Sequence, residues 1–386
     1  MRCPYFDNGS CHSCALMGMP YARQVAEKEE AVRNALPSHI RWLHAAHSAE
    51  TAFRNKAKLV VGGSAHAPTL GILGSHGKGV DLRECGLYEP ALAASFPVLA
   101  EFISRANLDP FDVPSGRGEL KNLLVTVSPS GELMVRFVLR STGTIARIRK
   151  HLPWLRDQLP QLATASANIL PERKAVPEGE EEIYLTPSHV LPMRIEPSGM
   201  VLYLQPHSFF QTNTAIAGEL YSQARTWVDR IAHLTDHPLR VADLYCGVGG
   251  FALHCAGPGR SVVGVEISPQ AVDSARISAE EQHLDATFVV GDATRWVASA
   301  HTDVVVVNPP RRGIGPLART LAASAAQYVI YSSCNAETLA RDMANMPEFS
   351  PLEARFFDMF PQTRHSETMV LLNRNPGKAQ SLPRIR

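Results

Sequence analysis

The pattern of hydrophobic and polar residues differs between the two halves of the chain, and it changes near residue 200. Beyond that point, short Val- and Ile-rich runs are separated by stretches with helical periodicity. Strands and helices that alternate in this way predict βαβ units around a parallel sheet, whose ligands bind beyond the carboxyl ends of the strands. The predicted strands are 239–245, 261–267, 286–290, 303–307 and 327–332, with a last apolar strand over 369–373.

The first half of the chain has the pattern of an α+β domain. Its periodicity predicts a helix over 21–36 and a β-hairpin of two alternating segments, 122–128 and 133–139. The stretch 171–199 is rich in Pro, Gly and Glu, as linkers are, and carries the predicted domain boundary. We expect an N-terminal domain in two parts, a second domain and a tail, over residues 1–90, 91–195, 200–375 and 376–386.

Composition narrows the class of protein without naming its function. The chain has 386 residues, 45% hydrophobic and 19% charged, which is ordinary for a globular protein of two or three domains. Because it lacks the apolar run of a signal peptide or membrane span, we expect a cytoplasmic protein with no membrane association. The 38 basic and 37 acidic residues nearly cancel, so any anion-binding face is local. One run without acids holds five basic residues, Arg136, Arg140, Arg147, Arg149 and Lys150.

Polar residues follow the predicted strands of the second half where each strand ends. A glycine-rich loop, 246–250, follows the first strand, and Glu266, Asp292 and Asn308 follow the next three. Glycines let the backbone approach a ligand, and a carboxylate at the second strand end can accept both hydrogen bonds of a ribose diol. Each acid alone is better explained by a helix cap or a solvated strand end. Together they resemble the S-adenosylmethionine fold of class I methyltransferases, and a dinucleotide enzyme is disfavoured because the GxGxxG spacing is absent.

A thiol and two proton-transfer candidates lie in the same half. Cys334 follows the fifth strand, on the ligand side of the sheet and near the Asn308–Gly313 loop, whose arginines are expected to lower the pKa of a thiol. His365 and Glu367 precede the last strand and are candidate acids or bases. The two other cysteines of this half, Cys246 and Cys255, have the pattern of buried, inert residues.

The remaining cysteines lie in the first half. Cys3, Cys11 and Cys14 form a C-x7-C-x2-C cluster, and Cys85 is a fourth thiol. Four thiols can close a tetrahedral site, and their spacing alone permits zinc, a [4Fe–4S] cluster or unpaired buried thiols. The CxxxCxxC motif of radical enzymes is missing, so a cluster here would not be a radical source.

Several segments are similar to those of one family, the RNA uracil-C5 methyltransferases. The segments are SFFQTN (208–213), DLYCGVGGF (243–251), NPPRRG (308–313), SSCN (332–335), HSET (365–368) and FRNKAK (53–58), together with the N-terminal cysteines. The resemblance covers nearly the whole chain. Within the family it is closest to the bacterial subgroup that acts on 23S ribosomal RNA, at uracil 747, and lacks an N-terminal TRAM domain.

The resemblance implies a class I methyltransferase fold with a parallel-type seven-stranded sheet and an N-terminal α+β domain carrying an iron–sulfur site. It implies that Cys334 is the nucleophile that adds to C6 of uracil and that Glu367 is the base that removes the C5 proton. By position, the implied S-adenosylmethionine-binding residues are Gln211, Tyr245, Glu266, Asp292 and Asn308. The implied ligands of a [4Fe–4S] cluster in the 1–90 region are Cys3, Cys11, Cys14 and Cys85. The implied partner is 23S ribosomal RNA, bound by a monomer without a protein partner.

Two positions depart from the general family pattern, and one segment suggests how RNA is bound. Most members carry Asp where this chain has Asn308, and a Phe is more usual at Tyr245, so a role that needs a carboxylate at 308 is in question. Arg54, Lys56 and Lys58 recur at period two, which predicts one strand face suited to phosphates. Phe209, Phe210 and Phe360 are candidates for stacking on a flipped base.

Two other functions stay open at this point. NPPY-type loops serve amino methylation of adenine, cytosine or glutamine, although here Arg311 follows the prolines and that reaction needs no thiol. A non-catalytic iron–sulfur RNA-binding protein is the third possibility, and it predicts RNA affinity without binding of S-adenosylmethionine.

Overall fold

A computed structural model describes residues 1–374, apart from 75, 76, 173–175 and 177. The chain forms two compact units. The first unit is Met1–Gly18 with Ala49–Met193, and the second unit is Met19–Ser48 with the chain from Arg194 onward. The expected tail, 376–386, lies outside the described residues.

The helices and strands are numbered in chain order. The helices are α1 (Pro4–Asp7), α2 (Tyr21–Ala35), α3 (Pro90–Arg105), α4 (Ile145–Gln158), α5 (Thr214–Ala232), α6 (Gly250–Cys255), α7 (Pro269–Glu281), α8 (Ala293–Ser299), α9 (Leu317–Ala323) and α10 (Ala336–Ala344). The strands are β1 (Arg41–Trp42), β2 (Lys56–Ser64), β3 (Ala67–Leu73), β4 (Gly79–Asp81), β5 (Leu120–Val127), β6 (Leu133–Leu139), β7 (Leu162–Ile169), β8 (Glu181–Tyr184), β9 (Leu191–Ile195), β10 (Met200–Leu204), β11 (Leu239–Leu244), β12 (Arg260–Glu266), β13 (Ala286–Val290), β14 (Val304–Val307), β15 (Tyr328–Ser333), β16 (Ser350–Phe357) and β17 (Glu367–Asn373).

The second unit is built on a mixed sheet. Its strand order over the described residues is β1-β16-β17-β15-β14-β11-β12-β13, eight strands in all. Strands β11 to β15 are parallel, as predicted, and β17 runs antiparallel to both β15 and β16. The expectation of a parallel-type sheet of seven strands is thus corrected. The chain reverses through a short loop between β16 and β17, which needs no crossover helix, and β1 adds an edge strand.

Helix α2 belongs to the second unit, although the sequence pattern assigned it to the N-terminal domain. Val25 and Val32 lie on one helix face and are buried in the same core as Val305 and Val329 of the sheet. The strand that follows, β1, pairs with β16. Residues 19–48 therefore pack with a sheet whose other strands come more than 190 residues later in the chain.

The first unit is an α+β fold. Its sheet has the order β4-β3-β2-β5-β6-β7-β8 over the described residues. The predicted hairpin is present as β5 and β6, which pair antiparallel. Its core joins Phe96 and Phe102 of α3 to Phe137 of β6 and Ile148 of α4. In neither unit is a described helix both long and apolar enough to span a membrane.

Candidate active site

A cavity of about 930 Å³ opens in the second unit beyond the carboxyl ends of the parallel strands. Segments that follow β11, β12, β13, β14 and β15 all contribute to its lining, as expected for ligand sites in such sheets. All seven side chains predicted for catalysis and cofactor binding line it, namely Gln211, Tyr245, Glu266, Asp292, Asn308, Cys334 and Glu367.

The glycine-rich loop after β11 exposes backbone to the cavity. Gly247 has φ +53 and faces open space where a Cβ would lie, and its N–H donates to Glu266 Oε2 at 3.2 Å. Gly249 has φ +84, and a Cβ there would come within 2.9 Å of the Phe288 ring. Only glycine combines this backbone conformation with such close packing. Tyr245 lines the cavity from the same turn, also with a positive φ of 64.

Glu266 and Asp292 are held by backbone groups at the ends of β12 and β13. Glu266 Oε1 accepts hydrogen bonds from the N–H groups of Ile267 and Ser268, at 2.8 and 3.0 Å. Asp292 is the N-cap of α8 and accepts from the Arg295 N–H at 3.0 Å. The helix-cap interpretation is therefore correct for Asp292, yet this residue also lines the cavity.

A second loop, 308–316, forms one wall and is anchored from behind. Asp342 of α10 is fully buried, and its Oδ2 accepts from the Ile314 N–H at 2.7 Å and from the Tyr331 hydroxyl at 2.8 Å. Gly313 has φ +81, and a Cβ there would lie 2.1 Å from the same carboxylate oxygen. The loop thus packs directly against this carboxylate, which fixes its distance from β15.

Cys334 lies between β15 and α10, half-buried at the cavity wall. Burial and the charge of Glu367 raise the pKa of its thiol, while Arg311 acts in the opposite direction. The expectation that the arginines would lower this pKa is not met on balance, because burial outweighs the cation. The protonated thiol is therefore favoured more than in a free cysteine.

Glu367 is the buried carboxyl beside this thiol. It begins β17, and its Oε1 accepts a hydrogen bond from the Ser332 hydroxyl at 2.5 Å. Burial raises the pKa of Glu367 to about 7, and the Ser332 hydrogen bond acts to lower it. A carboxyl with a pKa near the working pH can accept a proton and release it again, as a general base must.

The aromatic and histidine candidates fall into two groups. Phe209 is 69% exposed and lines the cavity with Phe360, whereas Phe210 is buried core. His365 is exposed at the cavity and its Nδ1 lies 3.3 Å from an Arg311 nitrogen. Partial burial, then Arg311 and Lys28, lower the pKa of His365. The site can thus accept a flat ring at Phe209 and Phe360, and His365 favours its neutral form.

The N-terminal cysteines are gathered in the first unit. Cys14 and Cys85 pack in a small apolar cluster with Phe53 and Leu87. Burial, then the charges of Cys85, Cys11 and Cys3, raise the pKa of Cys14 to about 11. Within the described ranges, however, no group of three or more Cys, His, Asp or Glu side chains is arranged to hold a metal ion.

Several basic residues of the first unit that the sequence offered for phosphate binding are buried or paired with acids. Arg136 is buried and paired with Glu178 and Glu182. Burial, then Arg136, lower the pKa of Lys56 to about 8. Arg140 pairs with Glu119. The exposed members of the predicted cationic sets are Lys58, Arg149 and Lys150.

Sequence reasoning missed the residues that support the site from a distance. Ser332 lies inside the SSCN motif (332–335), but its hydrogen bond to Glu367 was not predicted. Asp342, by contrast, had no signal, since a polar residue in an amphipathic helix is normally solvated.

The comparisons with known proteins agree with this geometry. A family model described as "tRNA (Uracil-5-)-methyltransferase" matches residues 293–375, and one described as "Methyltransferase small domain" matches residues 229–330. The chain is similar to the crystal structure of the Pyrococcus abyssi tRNA (uracil-54, C5)-methyltransferase in complex with S-adenosyl-L-homocysteine. The TM-score is 0.76 with 25% identity, over 93% of this chain and 85% of that one. The second unit has the fold of a class I S-adenosylmethionine-dependent methyltransferase.

The curated relatives narrow the class to one family. The chain is 46% identical over 381 residues to the "23S rRNA (uracil(747)-C(5))-methyltransferase RlmC" of Edwardsiella ictaluri (strain 93-146), covering 97% of this chain and 99% of the relative. It is also 46% identical, over 380 residues, to the protein of the same description from Yersinia pseudotuberculosis serotype O:1b (strain IP 31758), covering 96% and 99%. This chain belongs to the family of RNA uracil-C5 methyltransferases.

Proposed function

We propose that this protein transfers a methyl group from S-adenosylmethionine to C5 of uracil 747 in 23S ribosomal RNA. The target follows from two relatives that are described as methyltransferases of this uracil and that match this chain along nearly their whole length. The observation that carries the chemistry is that Cys334 and Glu367 line the same cavity as the residues proposed to bind the cofactor.

The proposed cofactor site uses the strand ends described above. Glu266 would accept hydrogen bonds from the ribose diol, Asp292 would receive the adenine amino group, and the open backbone at Gly247 lets the ligand approach. Gln211, Tyr245 and Asn308 complete the set. When bound, S-adenosylmethionine supplies an electrophilic methyl group on a sulfonium. Asn308 offers hydrogen bonds without charge, and the steps proposed here use no carboxylate at this position.

Cys334 supplies the covalent step. Uracil C5 is a poor nucleophile, because its electrons are committed to the ring. Addition of the Cys334 thiolate to C6 forms a C–S bond and moves the ring electrons onto C5 and the C4 oxygen, so that C5 becomes able to take a methyl group. One difficult step is divided into two easier ones.

Glu367 completes the cycle. After methylation, C5 carries both a methyl group and a proton. The Glu367 carboxylate takes that proton, the C5–H electrons reform the C5=C6 double bond, and the C–S bond breaks to release the Cys334 thiolate. The pKa of Glu367, about 7, suits a base that must return its proton to solvent after each turnover.

Mass spectrometry of ribosomal RNA tests this function. In a strain lacking the gene, the methyl group on uracil 747 should be absent, restored by the intact protein and not by Cys334→Ala. Cys255→Ala is the matched control, because this thiol is fully buried and does not line the cavity. Methylation of uracil 747 restored by Cys334→Ala would contradict the covalent mechanism, whereas a methyl group missing from an adenine or cytosine amine, with uracil 747 unaffected, would favour amino methylation.

We also propose that Cys3, Cys11, Cys14 and Cys85 hold a [4Fe–4S] cluster with a structural or RNA-facing role. The support is the donor set: Cys14 and Cys85 pack in one apolar cluster, and the charges of Cys3, Cys11 and Cys85 all act on Cys14. Anaerobically purified protein should absorb in the visible range, and Cys11→Ser should lose that absorbance. A colourless preparation with stoichiometric zinc would contradict the proposal.

The remaining proposals concern the setting of the reaction. An enzyme of ribosomal RNA would act in the cytoplasm, and we propose that it does so as a monomer. We propose that the first unit binds RNA and that the second unit, which includes residues 19–48, carries out methyl transfer. Light scattering during size-exclusion chromatography measures the mass in solution, and a dimer mass would contradict the proposed monomer.

A further inference from the structure

The loop between β16 and β17, residues 358–366, has little structure of its own. It carries Phe360 and His365, which line the cavity, and it runs directly into Glu367. The loop contains neither helix nor strand. Thr363 forms hydrogen bonds with Phe360 and His365 inside the loop, and side chains from other parts of the second unit supply further contacts.

Lys28 of α2 lies at the centre of this loop. Its ammonium forms an ion pair with Asp358, at the start of the loop. It also donates to the carbonyl oxygens of Phe360 and His365, both at 3.3 Å. An ammonium has three N–H donors, and these three acceptors all belong to the loop. The two residues of the loop that line the cavity are thus tied to one nitrogen atom.

Gln24, which lies one helical turn before Lys28 on α2, also contacts the loop. Its Nε2 donates to Gln362 Oε1 at 3.0 Å, and its Oε1 accepts from the Gln362 N–H at 3.0 Å. Gln362 has a positive φ of 66, so the reciprocal pair stabilises a conformation that a free glutamine rarely adopts. Since positions 24 and 28 share a helix face, α2 presents both groups to the loop together.

All four side chains are withdrawn from solvent. Gln24 and Asp358 are 0% exposed, Gln362 1% and Lys28 6%. Burial lowers the pKa of Lys28, and the Asp358 charge opposes that shift. Replacing a buried ion pair by apolar residues is often neutral or stabilising, because the charges must be desolvated. What an apolar pair cannot reproduce is the directed hold on two carbonyl groups.

We propose that Lys28 and Gln24 are positioning residues for methyl transfer, which hold the β16–β17 loop so that Glu367 meets the C5 proton. This inference rests on the proposed function. Cys334 is supported independently, because the next residue, Asn335, caps α10 and bonds to Ser333. The loop also carries Phe360, one of the two rings at which the cavity can accept a base, so the steps are compared at saturating RNA, where the loop should matter for proton removal and not for addition of the thiolate.

Two RNA substrates separate these steps. With uracil at the target, turnover needs proton removal by Glu367. With 5-fluorouracil there is no C5 proton, so the covalent adduct forms and persists without the base. The variants are Lys28→Met, Gln24→Met and the double variant Lys28→Met/Asp358→Leu, which leaves no unpaired buried charge. Arg23→Met is the matched control, because it removes an exposed ion pair from the same helix.

The double variant should melt within a few degrees of the intact protein, yet its kcat on uracil RNA should fall at least tenfold. Trapping of fluorinated RNA should stay within about threefold of the intact protein in all variants, and Gln24→Met should show a smaller loss of turnover. Arg23→Met should leave both readouts unchanged.

Two results would overturn the proposal. Recovery of turnover in the double variant would show a role in stability alone, and an equal loss of turnover and trapping would show that the loop is not specific to proton removal. Failure of the proposed function would give a different result from failure of the positioning role, because the intact protein itself would then not trap fluorinated RNA.

Discussion

At the scale of single residues, the chemistry depends on the protonation of one buried carboxyl. Glu367 is 3% exposed, and burial raises its pKa to about 7. The charged form is the base, so activity should rise with pH through this value. The pKa of Cys334 is also raised, first by burial, and its thiolate likewise forms at higher pH. Both groups therefore favour the alkaline side of neutrality.

Removing the Ser332 hydroxyl should shift this pH dependence. The hydroxyl donates to Glu367 and stabilises its charged form, so Ser332→Ala should raise the pKa of Glu367 further. A hydrogen bond to a charged group contributes about 1.5 kcal/mol or more, so the pH of half-maximal kcat should rise by about 1. Ser324→Ala is the control, because this hydroxyl bonds to the Leu321 carbonyl and the Ala326 N–H and does not line the cavity. An unchanged profile would separate Glu367 from the pH dependence.

Removing the base itself should stop the reaction after methylation. Glu367→Gln keeps the shape of the side chain but cannot take a proton. Ordinary uracil RNA should then accumulate as a covalent adduct with Cys334 that already carries the methyl group. Denaturing electrophoresis with a radiolabelled methyl donor measures this. Full turnover by Glu367→Gln would assign the base elsewhere, and His365, which also lines the cavity, would be the alternative.

At the scale of elements, the sequence predicted those strands that consist of an uninterrupted apolar run. The parallel strands β11 to β15 read as apolar runs because both faces of such a sheet are covered, and their ends are within a residue or two of the prediction. Strand β16 was not predicted, although Leu352, Ala354 and Phe356 alternate with two charged residues, because the alternating stretch is short and directly follows Pro351. Strand β1, with two residues, is too short for any pattern.

The anchor of the 308–316 loop gives a prediction at this scale. Asp342→Asn keeps the size of the side chain but removes its charge, so the Ile314 N–H and the Tyr331 hydroxyl, which both donate to Oδ2, lose a charged acceptor. We expect a loss of about 1–3 kcal/mol in unfolding free energy and a raised KM for S-adenosylmethionine. Tyr331→Phe removes the hydroxyl alone and should cost about 0.5–1.5 kcal/mol. Chemical denaturation and initial rates measure both, and an unchanged KM would contradict the anchoring role.

At the scale of the whole molecule, the sequence located the candidate site but not its support. The rule that ligands bind at strand ends brings Glu266, Asp292, Asn308 and Cys334 together without knowledge of any contact. The contacts of Lys28 and Gln24 with the β16–β17 loop span more than 320 residues of sequence. No local pattern encodes such pairings, and the geometry of the four thiols was beyond reach for the same reason.

The division into two units predicts that the proposed cluster and the cofactor site can be separated. The cavity residues all belong to the second unit, and the four cysteines belong to the first. A Cys11→Ser/Cys14→Ser variant should therefore bind S-adenosylmethionine with a Kd within threefold of the intact protein, by calorimetry, while methylation of RNA falls. Loss of cofactor binding would show that the units depend on each other.

The covalent bond to Cys334 is tested most directly by mapping the trapped complex. The intact protein is incubated with S-adenosylmethionine and 23S ribosomal RNA carrying 5-fluorouracil at position 747, then digested with protease and nuclease. Mass spectrometry should find the methylated fluoropyrimidine on the peptide that contains Cys334. An adduct on another cysteine, or no adduct from protein that methylates ordinary RNA, would contradict the account.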